Sequence, residues 1–505
     1  MKGKEFERKL EIVFIIALII LGLSYMFLAS GTQMLGEDEA IYFTLAKDFA
    51  QGRYSTLLPD GRQMTLPVFM SLFYSFFFTI FGSSLGLAKA ITALFGLLTL
   101  FIIYITGKRF SIYYGIFSVI LLLSIQMFTQ FMMMTYEEVP IAFFSVLLLY
   151  LFLSLDSIKK AIVIGITLGI AFYTKSSALV LVGVMIIYAL YLLIYEKNKK
   201  YFKLTFISLI TFAIMLAPFV VRNLLLYNYP YVEGLNAIFG NPPEGWPDWL
   251  MNAFKTVSPV TLSLQSFTST FSWLTFILGI FGFVWLMVNW GVDKEEQHLL
   301  LILSLFSLIF LFVFIIIYLT SIIPLETRYL SIIFPQFTLL GGFFLWKAKD
   351  WNKICLVPIS LILLFSIWSS ISTATATYGM QRYPSDYIEA LRWVKDNTAD
   401  NAIIFTTYTG SLEYYGKRVG LWAINVKEFP QIMTTQNGSY ISESLKHYNI
   451  SYILIWRSTI AQNYIIPESN LWGVFTYNFA NVVSNDTTHF SLTYSNQDNW
   501  IFKLK

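Results

Sequence analysis

The chain alternates long apolar runs with short polar breaks. Apolar segments cover roughly 12–29, 66–82, 86–106, 112–131, 137–155, 161–174, 177–195, 204–225, 269–290, 299–323, 329–346 and 354–372. Most approach or exceed the ~18 residues that mark a membrane-crossing helix. Small basic clusters separate them: Lys2/Lys4/Arg8/Lys9, Lys108/Arg109, Lys159/Lys160, Lys197/Lys199/Lys200/Lys203 and Lys347/Lys349/Lys353. Cytoplasmic loops carry an excess of Lys and Arg, so an even number of spans is expected between any two clusters. Counting 66–82 as a span sends Lys108/Arg109 and every later cluster outward; leaving it out restores them all. That segment is also short and opens at Leu66-Pro67, so it is assigned to a helix lying in the outer interface. The first run is longer than the ~7–15-residue core of a cleaved signal peptide and reads as a retained span. The pattern predicts a polytopic all-α membrane protein of about eleven transmembrane helices, with the N-terminus inside and the C-terminal tail outside.

The tail departs from this pattern. Ser385 to Lys395 has helical periodicity, and short strand-like runs follow at Ala402–Thr406, Ser451–Trp456 and Trp500–Leu504, with turn residues between them. A small extracytoplasmic α/β domain over 376–505 is therefore expected after a membrane domain over 1–375. Three acceptor-type tripeptides, at Asn437, Asn449 and Asn485, all lie in this tail, which suits an exposed location.

Composition narrows the chemistry. Of 505 residues, 56% are hydrophobic and only 13% charged, against ~25% charged in ordinary soluble domains. The net charge of +4 resides mainly in the loops, so it reports topology and not a nucleic-acid surface. A lone Cys355 excludes an intrachain disulfide, and three scattered histidines, His298, His447 and His489, disfavour a His/Cys zinc site or a Ser-His-Asp triad. Carboxylates and cations must carry any chemistry.

The polar residues that interrupt the apolar pattern fall on one predicted side. Asp38 and Glu39 follow the first span, in an outer loop taken as 31–85. Acids there suit a helix N-terminus, and they equally suit a general base at the membrane surface. Glu137 and Glu138 open another apolar run as a second acidic pair, either a solvated cap or partners that orient the first pair or hold a divalent cation such as Mg or Mn. Lys89, Lys175, Arg222 and Arg328 each have the length to snorkel to headgroups. Gathered on the face that carries the acids, they suit a phosphate. Asn223, Glu326 and Tyr329 are supporting candidates beside them.

This constellation resembles the membrane-embedded C-type glycosyltransferases over about residues 10–345. It is most similar to the protein O-mannosyltransferase and aminoarabinose-transferase branch, and more distantly to oligosaccharyltransferase. The resemblance rests on Asp38-Glu39 in the first outer loop and on Phe81-Gly82 followed by Lys89. Further matches are Glu138-Val139-Pro140, Thr174-Lys175, Pro218 to Arg222-Asn223 followed by Tyr229-Pro230, and Arg328-Tyr329-Leu330 before Pro335. Many relatives have Asp where this chain has Glu137-Glu138, and the Trp-Trp-Asp of oligosaccharyltransferase is absent.

The resemblance implies transfer of one sugar, with inversion, from a polyprenyl (dolichyl or undecaprenyl) phosphate carrier. The acceptor would be a protein hydroxyl or a lipid-linked glycan, at the outer face of the bilayer. Asp38 would serve as base and Lys89, Arg222 and Arg328 would neutralise the departing lipid phosphate. The rival class is a transporter or flippase, whose intramembrane charges would line a passage. No inverted repeat is visible, and the charges gather on one side and not at mid-bilayer.

Overall fold

The computed structural model describes residues 2–33, 36–53, 68–227, 273–288, 294–320, 327–349, 356–379, 383–422, 426, 428–457, 460–461 and 475–505. The helices in chain order are α1 (Lys2–Gly31), α2 (Glu37–Ala50), α3 (Phe69–Phe81), α4 (Leu85–Lys108), α5 (Ile112–Leu123), α6 (Gln126–Phe131), α7 (Glu138–Leu153), α8 (Ile158–Thr174), α9 (Leu179–Tyr195), α10 (Lys199–Tyr227), α11 (Trp273–Val288), α12 (Lys294–Thr320), α13 (Phe334–Ala348) and α14 (Leu356–Tyr378). A 3-10 segment, Thr327–Ile333, leads into α13. Among the described residues, seven helical segments are long and apolar enough to cross a membrane: those of α1, α4, α9, α10, α12, α13 and α14. The protein is an integral membrane protein, mostly helical, with a small C-terminal α/β unit.

Side-chain contacts fix which way each helix runs. Between α1 and α4, Gly86 meets Ser30 at one end, Gly22 meets Leu97 midway, and Lys108 pairs with Glu11 at the other end. The chain between them, α3 included, returns to the end it left. Lys108 and Arg109 thus share an end with Lys2 to Lys9, as the parity of the basic clusters requires. Arg109 stacks on Tyr150 near the end of α7, Lys349 on Tyr113 near the start of α5, and Lys347 pairs with Glu296 near the start of α12. The basic clusters occupy one end of the bundle. The shorter helices α5, α7, α8 and α11 run between the same two ends.

Helix α3 packs its inner face beside α4 and α7: Phe73 lies edge-on to Phe95 at 5.5 Å, Phe69 to Phe144 at 5.7 Å, and Tyr74 Oη bonds Thr92 Oγ1 at 2.7 Å. Its other face exposes Leu72, Phe76, Ile80 and Phe81. A helix with one apolar face packed and a second apolar face open suits the lipid interface. Elsewhere, small residues bring helices together, as expected where hydrocarbon supplies no hydrophobic drive. A Cβ on Gly107 would meet the Gly115 backbone at 2.7 Å, so α4 and α5 touch through their main chains.

One expectation needs correction. The run 112–131 is not a continuous helix but two, α5 and α6, broken at Ser124-Ile125. Ser124 Oγ donates to Leu121 O at 2.6 Å and pairs with Thr275 Oγ1 at 2.8 Å. Such local side-chain bonding competes with the helical ladder. The apolar run signalled burial but not the kink.

The tail forms α15 (Ser385–Asn397) and a five-stranded sheet of β1 (Ile403–Thr406), β2 (Val419–Trp422), β3 (Ile450–Trp456), β4 (Phe490–Ser495) and β5 (Asn499–Leu504), in the order β2-β1-β3-β5-β4. The first three are parallel; β5 runs antiparallel to both β3 and β4. Helix α16 (Gly438–His447) leads into β3, and α17 (Tyr477–Asn485) precedes β4. This unit rests on α2: Tyr414 meets Phe43 edge-on at 5.4 Å, and Phe43 meets Phe78 of α3 at 5.5 Å. The tail therefore sits at the end opposite the basic clusters.

These directions give a test. With Cys355 replaced by serine, Lys108→Cys and Lys347→Cys should react with an impermeant thiol reagent from one side of sealed vesicles, and Ser83→Cys from the other. Labelling of position 108 from the side of position 83 would make α3 a membrane span.

Candidate active site

At the end opposite the basic clusters, the first turn of α2 enters a layer of charged side chains. Gly36, extended at φ −158° and ψ 159°, precedes Glu37-Asp38-Glu39. Acids in the first turn are favoured by the free N–H groups and the helix dipole. The helical spacing then sends Asp38 and Glu39 to different partners.

Glu39 points inward. Its side chain is fully buried, as is that of Lys89 from α4, and Oε1 lies 3.3 Å from Lys89 Nζ. The same oxygen accepts the Thr135 N–H at 2.8 Å, and the Lys89 ammonium also donates to Thr32 Oγ1 at 2.8 Å and to Gln33 O at 2.5 Å. Two buried ions are tolerable only when paired and further hydrogen-bonded, and both conditions hold here. Four segments meet at this point: the end of α1, the start of α2, α4, and the buried turn Met132–Tyr136.

Asp38 turns instead toward Arg328. One of its oxygens accepts a hydrogen bond from Arg328 Nη1. Arg328 Nε lies 3.8 Å from Glu138 Oε1, and that oxygen accepts from Lys175 Nζ at 2.6 Å. Arg328 also lies over the Tyr136 ring at 5.3 Å, a favourable cation–π placement. Exposure separates the two acids on this chain: the Asp38 side chain is 34% exposed and that of Glu138 only 3%. Asp38 is the more accessible carboxylate of the two. Glu137 is buried beside them.

Lys175 gets there by a helix break. Helix α8 stops at Thr174, Lys175 takes an extended conformation at φ −158° and ψ 128°, and a 3-10 turn leads into α9. Helices α8 and α10 run in parallel, with Gly165 against Ser208, Gly169 against Met215 and Tyr173 against Phe219. Arg222 lies one turn beyond Phe219, at the end that carries Lys175. Glu326 and the Tyr229-Pro230 pair lie outside the described residues, as do the side chains of Asn223 and Tyr329.

Five of the expected charged residues, Asp38, Glu138, Lys175 and Arg328 together with Glu137, are thus gathered in one cluster, with Glu39 and Lys89 enclosed directly behind. Tyr42 was not anticipated. Burial, then the carboxylates of Glu137, Asp38 and Glu138, push its phenol well above the ordinary value, with Arg328 pulling the other way. The phenol therefore stays protonated. Its position four residues after Asp38, on the same helix face, was the available signal. Thr135 and Tyr136 were also missed, being ordinary residues made functional only by the folded turn.

Glu137 and Glu138 were considered as ligands for a divalent cation. Among the described residues, no group of three or more His, Cys, Asp or Glu side chains forms a metal-sized site. Glu138 is engaged by Lys175 and Arg328 instead.

Comparisons with known proteins agree with this architecture. Residues 66–222 match the sequence profile of the family described as dolichyl-phosphate-mannose-protein mannosyltransferase. That stretch contains Lys89, Glu137, Glu138, Lys175 and Arg222. No curated protein matches the chain by sequence. Among solved structures, ArnT from Cupriavidus metallidurans bound to undecaprenyl phosphate is 12% identical, with 97% of each chain covered and a TM-score of 0.65. The archaeal oligosaccharyltransferase AglB from Archaeoglobus fulgidus, in complex with an inhibitory peptide and a dolichol-phosphate, is 15% identical, with 87% of this chain and 70% of that chain covered and a TM-score of 0.63. AglB from Archaeoglobus fulgidus has also been solved in complex with Zn and sulfate. The protein has the fold of the polyprenyl-phosphate-dependent membrane glycosyltransferases, in keeping with the resemblance drawn from its motifs.

The enclosed ion pair makes its own prediction. Lys89→Met alone should destabilise the detergent-solubilised protein by about 3–5 kcal/mol, because it strands a buried carboxylate. Combining it with Glu39→Gln should recover much of that loss in thermal unfolding. Simple additivity of the two single losses would show that the pair is not coupled.

Proposed function

We propose that the protein transfers a monosaccharide, with inversion, from a polyprenyl-phosphate carrier to a hydroxyl of a protein or lipid-linked glycan at the outer face of the membrane. The observation that supports this most is the continuous run Asp38–Arg328–Glu138–Lys175, which joins the most exposed described acid of the site to two cations. Base and phosphate partners are then within reach of a single substrate. Placement of this run at one end of the bundle favours group transfer over a transport passage, which would carry its charges across the middle.

In the proposed reaction, the phosphate of the donor competes with Asp38 for Arg328 and draws on Lys175 and Arg222. Release from Arg328 leaves the Asp38 carboxylate to accept the proton of the acceptor hydroxyl. The acceptor oxygen forms a bond to the anomeric carbon from the face opposite the leaving group. The carbon–oxygen bond to phosphate breaks, and its electron pair goes to the phosphate oxygen. The guanidinium fork and the ammonium meet the charge that develops there, where fixed donors contribute most. Glu39 and Lys89 act as positioning residues: they hold the first turn of α2 so that Asp38 faces the cleft. The carrier chain lies against the apolar helices.

The basic end would be cytoplasmic by the positive-inside rule. That puts the cleft and the tail outside, with the membrane domain assigned to 1–375 and the extracytoplasmic domain to 376–505. Mannose is the sugar the family match favours.

Membranes carrying Asp38→Asn should lose transfer from a radiolabelled polyprenyl-phosphate mannose by at least about a hundredfold, the usual range for removing a general base. Expression should be unchanged, because the amide still accepts the Arg328 hydrogen bond. Transfer within a few fold of the unsubstituted protein would remove Asp38 as base.

A further inference from the structure

A second cleft, of about 640 Å³, opens between the membrane helices and the C-terminal unit. It is lined by Lys47 of α2, by Ser83-Ser84 before α4, by Arg392 and Lys395 of α15, and by Tyr414, Tyr415 and Lys417. Four cations face it with a single carboxylate, Asp396. Among the described residues, none of the four forms an ion pair. Lys417 Nζ instead donates to the carbonyl of Tyr414 at 2.5 Å and lies over that ring at 5.1 Å.

Four like charges gathered around one carboxylate repel. Desolvation in the cleft, then the neighbouring Lys47 and Lys395, lower the pKa of the Lys417 ammonium. The backbone is also held in an uncommon form. Leu412–Gly416 makes a π-helical turn, and Lys417 follows in the left-handed region at φ 52°. Both features are uncommon, and π-turns recur at functional sites. Tyr414 and Tyr415 pack edge-to-face at 4.7 Å to form the aromatic wall.

The floor of the cleft identifies the kind of occupant. Ser83-Ser84 follow directly on the C-terminus of α3, whose Leu72, Phe76, Ile80 and Phe81 form an open apolar stripe. A cationic pocket at one end of an apolar stripe, at the membrane surface, matches an anionic headgroup with an attached hydrocarbon chain. Lys47 lies nine residues beyond Asp38 on α2, about 13–14 Å along the helix, so the two clefts are separate.

We infer that this cleft is a second anion site, which binds the phosphate headgroup of a membrane lipid whose apolar chain lies along the open face of α3. The inference does not rest on the glycosyl-transfer reading. Lys47, Arg392, Lys395 and Lys417 hold the phosphate, and Tyr414 and Tyr415 close one side.

The test uses the full-length protein in detergent micelles, titrated with a fluorescent phosphatidylglycerol, with phosphatidylcholine and inorganic phosphate in parallel. Lys417→Gly removes the charge while keeping the left-handed backbone accessible, and Arg392→Ala alters an exposed side chain. The double variant should bind phosphatidylglycerol at least about tenfold more weakly, since charge-assisted bonds to phosphate are lost. Phe81→Asn should weaken the lipid but leave inorganic phosphate unaffected. Equal lipid affinity of the double variant and the unsubstituted protein, or inorganic phosphate binding as tightly as the lipid, would overturn the inference.

Discussion

Taking an ammonium and a carboxylate out of water costs several kcal/mol per ion, and their attraction repays this only with good geometry and further hydrogen bonds. Lys89 and Glu39 meet those terms by drawing in Thr135, Thr32 and the Gln33 carbonyl. The consequence is geometric. Any movement of α2 relative to α4 or to the 132–136 turn would strand a buried charge, so the start of α2 has one allowed place. Asp38, the preceding residue, is then turned by about 100° of helix toward Arg328. The enclosed pair fixes where the exposed one stands.

The bilayer supplies the second constraint. Without a hydrophobic drive between helices, close packing has to come from small residues and polar contacts. Gly107 against Gly115 and Ser124 with Thr275 are of this kind. Among the described residues, charge is admitted mostly where it is paired or reaches an end. Basic clusters gather at one end; at the other, acids interleave with cations. The C-terminal unit meets this second end through Tyr414 on Phe43, which makes α2 a shared support of the charged cluster at Asp38 and of the cleft at Lys47.

Much of this was legible in the sequence. Apolar periodicity located the helices but not all of their ends, since α1 begins ten residues before its apolar run and 112–131 divides in two; the parity of basic clusters was enough to remove 66–82 from the spans, in line with the α1–α4 contacts. The strands at 403–406, 450–456 and 499–504 were anticipated; β2 and β4 were not, although only β2, four residues of Val-Gly-Leu-Trp, lacks alternation, while Phe490–Ser495 alternates apolar and polar positions. For the cleft, the charged residues stood out because charge is rare in apolar sequence. Their pairing did not. Nothing local tells Lys89 to turn to Glu39 and Lys175 to Glu138, since those choices depend on helix rotation. Thr135 was invisible for the same reason, being a common residue that matters only through what the fold sets beside it, whereas Tyr42 showed only in its spacing from Asp38.

The most direct test is an experimental structure of the protein with a polyprenyl phosphate bound. The phosphate is expected within hydrogen-bonding distance of Arg328 and Lys175, with the Asp38–Arg328 contact opened and the Lys89–Glu39 pair unchanged. A phosphate bound elsewhere, with Arg328 still on Asp38, would contradict the proposed roles of both residues.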